Sequence, residues 1–125
     1  MQRGLAVHRG LVLLTPYVGF SPKYPDTSWV GDSFCVRVQG LMDPWGEGPE
    51  EYICRCFLTG DDFEVEEELP SVTFRKTGEH VDAVFWVKPI RSEDVEPLDL
   101  LVLNPQGMPM AGKRLRIQVN ASELT

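Results

Sequence analysis

Apolar and polar side chains alternate along most of this chain with a period of two. Phe34, Val36 and Val38 alternate with Cys35, Arg37 and Gln39; Val72 and Phe74 with Thr73 and Arg75; Leu115, Ile117 and Val119 with Arg114, Arg116 and Gln118. A period of two sends successive side chains to opposite faces of an extended strand, so each run has one apolar and one polar face. Proline or glycine stands at almost every junction between runs. Proline removes an amide donor and breaks helix interiors, so the ten prolines leave little room for helix.

The pattern predicts strands over Leu5 to Leu14 (with Gly10 as a weak point), Asp32 to Gln39, Glu51 to Thr59, Phe63 to Leu69, Leu98 to Leu103 and Arg114 to Val119. Val72 to Lys76 and His80 to Lys88 read as a hairpin joined through Thr77-Gly78-Glu79. Thr15 to Gly31 is a proline-bearing loop region with a short extended piece around Tyr17 to Phe20, and Gly40 to Glu50 is a turn-rich loop. Asn104-Pro105-Gln106-Gly107 is a turn, and Ser92-Glu93-Asp94 caps a single helical turn before Pro97. A chain of 125 residues is one domain, 1–125, and buries roughly two-thirds of its unfolded surface. Short strands with a turn signal every 8–12 residues or so predict an all-β, antiparallel sandwich of seven to eight strands with at most one short helical turn.

Asp62-Phe63-Glu64-Val65-Glu66 running to Pro70, then Val72-Thr73-Phe74, a charged turn, and Val81-Asp82-Ala83-Val84-Phe85-Trp86-Val87 form a longer constellation. It resembles immunoglobulin-like and fibronectin-like sandwich modules of the kind that bacterial multidomain proteins attach to effector or signalling domains. The resemblance implies an immunoglobulin-like sandwich that binds or spaces and does not catalyse. The chain lacks the Cys–Trp–Cys core spacing of antibody-type domains, so no inter-sheet disulfide is implied.

The net charge of −7 is unevenly placed. Between Asp43 and Glu68 stand ten acids against one base, Arg55, while the rest of the chain is net +2. Such a segment repels phosphate backbones, which argues against a nucleic-acid partner. Three cysteines cannot all pair within one chain, and no secretory signal is visible. The apolar run Leu11 to Leu14 is too short for a membrane span, so the expectation is reduced thiols, a cytoplasmic location and no membrane partner.

The chemical candidates each have a structural reading. Cys54 and Cys56 lie two apart on a strand, thiols to one side. Zinc needs about four ligands and only His8, His80 and Cys35 remain, so buried core thiols explain the pair at least as well. Gly31-Asp32-Ser33-Phe34 has the look of an esterase nucleophile block, but a strand follows Ser33 where a strand-to-helix elbow would need a helix. His80 reads as a solvent-facing turn-exit residue. Glu64, Glu66, Glu67 and Glu68, with Asp61 and Asp62, read as the wet side of a charged edge strand and not as a wound calcium loop. No catalytic set, metal set or cofactor signature emerges.

What departs from a plain sandwich is apolar. Leu98 to Leu103 is apolar on both faces except at Asp99; in the following of Val81 to Lys88, Val81, Ala83 and Phe85 share one face while Val84 and Trp86 occupy the other. A sandwich strand needs only one apolar face, so the second is covered by the N-terminal aromatics Tyr17, Phe20, Tyr24 and Trp29 or by another chain. Val84, Trp86, Leu101, Leu103 and Trp45 are therefore the candidate interface of a non-catalytic protein-interaction or self-association module, with a protein partner or a homodimer. The alternative is a small-molecule-binding barrel or sandwich with an aromatic-lined cavity.

Overall fold

Alternation of the kind seen at Phe34 to Val38 becomes, in three dimensions, two packed antiparallel sheets. The structure is a computed structural model that describes residues 13–19 and 28–121. Its strands are β1 (Leu13–Gly19), β2 (Ser28–Trp29), β3 (Phe34–Leu41), β4 (Glu51–Thr59), β5 (Phe63–Leu69), β6 (Ser71–Arg75), β7 (His80–Val81), β8 (Ala83–Pro89), β9 (Leu98–Leu103), β10 (Pro109–Leu115) and β11 (Val119–Asn120). One sheet has the order β1-β3-β8-β5 and the other β10-β9-β4-β6-β7; β2 and β11 form a small parallel pair. The protein is an all-β sandwich, and no helix occurs among the described residues.

Both sheets fill the space between them from their inward positions. Phe34, Val36 and Val38 of β3 and Ala83, Phe85 and Val87 of β8 meet Tyr52, Cys54, Cys56 and Leu58 of β4, Val72 and Phe74 of β6, and Leu98, Leu100 and Val102 of β9. The sheets approach so closely at Gly40 that any Cβ there would run into the Phe74 ring and stand 2.9 Å from Val72 Cγ1. Phe34 and Phe63 meet edge to face at 6.3 Å, a favoured arrangement of aromatic quadrupoles.

The chain changes sheets at two places that periodicity does not mark. After β5 it turns at Pro70 from the four-stranded to the five-stranded sheet, and Cys56 N–H donates to the Pro70 carbonyl at 2.8 Å. The expected strand His80 to Lys88 is broken at Asp82. His80–Val81 pairs with β6 in one sheet, and Ala83–Pro89 pairs with β3 and β5 in the other. The hairpin through Thr77-Gly78-Glu79 is real but short, with Gly78 at φ +98° and its N–H donating to the Arg75 carbonyl at 2.8 Å. Breaks of this kind raise the described strand number above seven to eight.

Other differences are local. The helical turn expected at Ser92-Glu93-Asp94 is a bend in which Asp94 takes φ +50° and the Glu93 carbonyl accepts Arg91 Nε at 3.0 Å. Arg114 to Val119 does not run as one strand: β10 ends at Leu115 and β11 begins at Val119, although Val119 still faces inward. The Asn104 to Gly107 turn forms as expected, with Asn104 Oδ1 accepting the amides of Gln106 and Met108 at 3.0 and 2.9 Å. The extended piece around Tyr17 belongs to β1. The expected strand from Leu5 lies outside the described residues up to Val12, as do His8, Phe20 and Tyr24.

Candidate interaction faces

Each sheet has an outer face made by the residues that alternate with its core set. On the five-stranded sheet the paired register places Val81, Thr73 and Ile53 in one row, Leu103 and Arg55 in the next, and Leu101 and Phe57 in a third. Four of these are large apolar side chains left open to solvent: Ile53 at 51%, Leu101 and Val81 at 41% each, and Phe57 at 36%. Contiguous apolar surface on a sheet that already has a core face needs a physical reason.

Charge on this face is answered within the chain. Arg114 Nε donates to Asp99 Oδ1 at 2.9 Å beyond one end of the apolar rows, and Arg75 Nε lies 3.4 Å from Glu51 Oε2 beyond the other. Arg55, the single base of the acidic segment, lies 4.5 Å over the Phe57 ring. Its guanidinium donates to the Cys56 and Pro70 carbonyls at 2.9 and 3.0 Å and to both carboxylate oxygens of Glu67 at 3.3 Å. One side chain thus clamps the corner where the chain leaves one sheet for the other.

The outer face of the four-stranded sheet is different. Arg37 is level with Tyr17 and Val84, and Cys35 is level with Trp86, which in turn is level with Glu66. Trp86 is 41% exposed, whereas Val84, beside it on the same face, is buried at 7%. The Trp86 indole N–H donates to Glu68 Oε1 at 2.8 Å. β5 forms one end of this sheet, and Glu64, Glu66, Glu67 and Glu68 are exposed along it, charge that an end strand carries against indiscriminate strand pairing.

The five residues singled out by sequence are therefore not one surface. Val84 and Trp86 lie on one outer face, Leu101 and Leu103 on the opposite one. Trp45 belongs to the loop before β4, where it packs on Tyr52 at 4.7 Å and donates its N–H to the Pro49 carbonyl at 2.8 Å. Sequence reasoning missed Ile53, Phe57 and Val81. The signal for the first two was present: in Tyr52 to Leu58 apolar residues occupy both alternation classes, as in Leu98 to Leu103. Val81 was assigned to the face of Ala83 and Phe85, and the break at Asp82 moves it to the other sheet.

The chemical candidates resolve into structural roles. Cys54 and Cys56 point into the core, and burial pushes both thiols from 9.0 up to about 11. No group of three or more His, Cys, Asp or Glu side chains placed to hold a metal occurs among the described residues. Ser33 follows a turn with Gly31 at φ +84° and opens β3. His80 Nε2 stands 3.5 Å from Asp82 Oδ1, a buried oxygen that accepts no hydrogen bond among the described residues, while Asp82 Oδ2 lies 3.5 Å from Arg37 Nη1. The aromatics Phe34, Phe63, Phe74 and Phe85 fill the interior between the sheets. Among the depressions described at the surface, one of about 200 Å³ lies between Ser33, Glu64, Val65, Glu66, Trp86 and Lys88.

No family model and no curated protein matches the chain. Among solved structures, a cohesin module from the family 33 glycoside hydrolase of Clostridium perfringens ATCC13124 is similar over 88% of this chain and 100% of that one, at 16% identity and a TM-score of 0.32. A likeness at that distance carries no functional argument.

Proposed function

We propose that the protein is a non-catalytic interaction module that self-associates through the outer face of its five-stranded sheet. The observation that supports this is the neutral apolar band of Ile53, Phe57, Val81, Leu101 and Leu103, whose neighbouring charges are paired within the chain. Two copies of a chain with net charge −7 repel one another, and the repulsion is least where carboxylates already have partners. A flat sheet face is also self-complementary about a twofold axis, the commonest symmetry of soluble oligomers. Five strands at about 4.8 Å spacing and a nine-residue central strand give a face of at most roughly 20 by 30 Å, about 600 Å², at the low end of the area each partner buries in specific complexes.

Sedimentation equilibrium across a hundredfold concentration range tests the reading. The unaltered chain is expected to show a concentration-dependent dimer. Ile53→Glu and Leu101→Glu, each placing an unpaired carboxylate on an exposed position, are expected to be folded monomers by circular dichroism and sedimentation. A strict monomer at every concentration would overturn self-association.

A further inference from the structure

The opposite outer face carries a second feature that does not depend on the dimer reading. Trp86 sits beside the end strand β5, level with Glu66 and hydrogen-bonded to Glu68. The cations around this point are engaged elsewhere. Lys88 Nζ lies 3.4 Å from Glu64, Arg37 of the same outer face lies 3.5 Å from Asp82, and Arg55 is held by Glu67 and the Pro70 carbonyl. Among the described residues Glu66 has no cationic partner, and Glu68 receives only the indole N–H. Two carboxylates without a cationic partner among the described residues thus flank a half-exposed indole, next to a depression of about 200 Å³ whose one lining cation, Lys88, is paired with Glu64.

We propose that Trp86, Glu66 and Glu68 form a docking site for an extended, lysine- or arginine-rich segment of a protein partner laid along β5. Charge complementarity selects the occupant. An indole face attracts an ammonium or guanidinium group, and here carboxylates on the same surface would complete its coordination. The indole is held by its bond to Glu68, so little side-chain freedom remains to be lost on binding.

β5 supplies the other half of the site. It ends its sheet, so one side of its backbone has no strand neighbour among the described residues. A strand added there would lie about 10 Å from β8, two strand spacings, within reach of a long basic side chain crossing above Glu66 toward Trp86. The same glutamates set the specificity. A neutral segment gains nothing from them and an acidic one, including β5 of a second copy, is repelled. The net charge of −9 over Asp43 to Glu68 would draw a basic segment toward this side of the molecule before contact.

Isothermal titration with an eight-residue blocked peptide alternating lysine and threonine, at low salt, tests the site on the intact chain. The lysine peptide is expected to bind, and its counterpart alternating glutamate and threonine is not. Trp86→Ala is expected to weaken binding roughly 3- to 30-fold, the range of a single cation–aromatic contact. Glu66→Gln combined with Glu68→Gln tests the carboxylates without removing the ring and is expected to weaken it at least as much. Ile53→Glu, on the opposite face, should leave peptide binding unchanged while altering sedimentation, so the two proposals fail separately. No binding of the lysine peptide, or equal binding by the unaltered chain, Trp86→Ala and the double variant, would overturn the site.

Discussion

The two outer faces of this sandwich arise from the same alternation of side chains and differ in how they treat charge. On the five-stranded sheet Asp99 meets Arg114, Glu51 meets Arg75, and Arg55 reaches over Phe57 to Glu67, so an apolar band is framed by neutralised groups. Along β5 of the four-stranded sheet the glutamates outnumber the bases that reach them, and Trp86 stands among them. An exposed apolar residue announces that a surface is unusual; the pairing of nearby charges across strands says what would settle on it. Neutral framing suits a like-charged copy, and uncompensated framing suits an opposite charge.

Neighbours in β8 give the largest contrast. Phe85 is wholly buried between the sheets and Trp86 points outward. Phe85→Ala is expected to destabilise the fold by about 3–5 kcal/mol in urea titration, because it empties the core beneath both faces. A loss under about 1 kcal/mol would mean that the two sheets do not depend on one another for their flatness.

Raising the pH acts most strongly on one face, from below, although burial also raises the Cys35 thiol on the other sheet. Cys54 and Cys56 lie on the inner side of β4, directly behind Ile53, Arg55 and Phe57. Burial holds both thiols neutral, with folded values near 11 against 9.0 in the unfolded chain. Their contribution to stability is therefore undiminished below pH 9 and is lost as the pH climbs from 9 toward 11, because the unfolded chain gives up the protons first. The expected slope is at most about 1.4 kcal/mol per pH unit for each thiol. Urea midpoints of the unaltered chain and of Cys54→Val between pH 8 and pH 10.5 read it: equal slopes would remove Cys54 from the account.

Arg55 ties the faces together at the Pro70 corner. Arg55→Met keeps the stem over Phe57 and loses the clamp; since the ion pair is partly exposed, the expected loss is only about 1 kcal/mol. Hydrogen exchange should open first at the Cys56 amide, which donates to Pro70. Unchanged exchange there would show that the corner holds without the guanidinium. The smallest effect is expected from Trp86→Ala, about 1 kcal/mol or less, because the ring is already 41% exposed. A loss of 3–5 kcal/mol would make Trp86 a core residue and erase the contrast with Phe85.

Alternation made most of the strands legible. β4 and β9 lie where Glu51 to Thr59 and Leu98 to Leu103 predict them, β3 runs two residues further along than the predicted Asp32 to Gln39, and the cysteine pair shares one side as its spacing requires, the inner one. Sheet membership was not legible. A period of two says which side chains share a face of one strand and nothing about which strands lie together, so Val84 with Trp86 and Leu101 with Leu103 were read as one interface. Asp82 shows the difficulty most clearly. Its neighbours Val81 and Ala83 continue a regular pattern, and only the engagement of its carboxylate by Arg37 and His80 marks the crossing. The charged edge, by contrast, was readable from Glu64, Glu66, Glu67 and Glu68 alone, because nothing buried would tolerate them.

The crossings at Pro70 and Asp82 also bear on the order in which the molecule can assemble. The four-stranded sheet draws on β1, β3, β5 and β8, and the five-stranded sheet on β4, β6, β7, β9 and β10. A chain emerging from the ribosome would hold every strand of the first sheet once Pro89 is made, yet β9 and β10, which complete the second, lie beyond residue 97. Neither layer can be laid down from a contiguous stretch and left to wait for the other. Such interleaving places most pairings far apart in sequence, which slows folding into the millisecond-to-second range typical of all-β sandwiches.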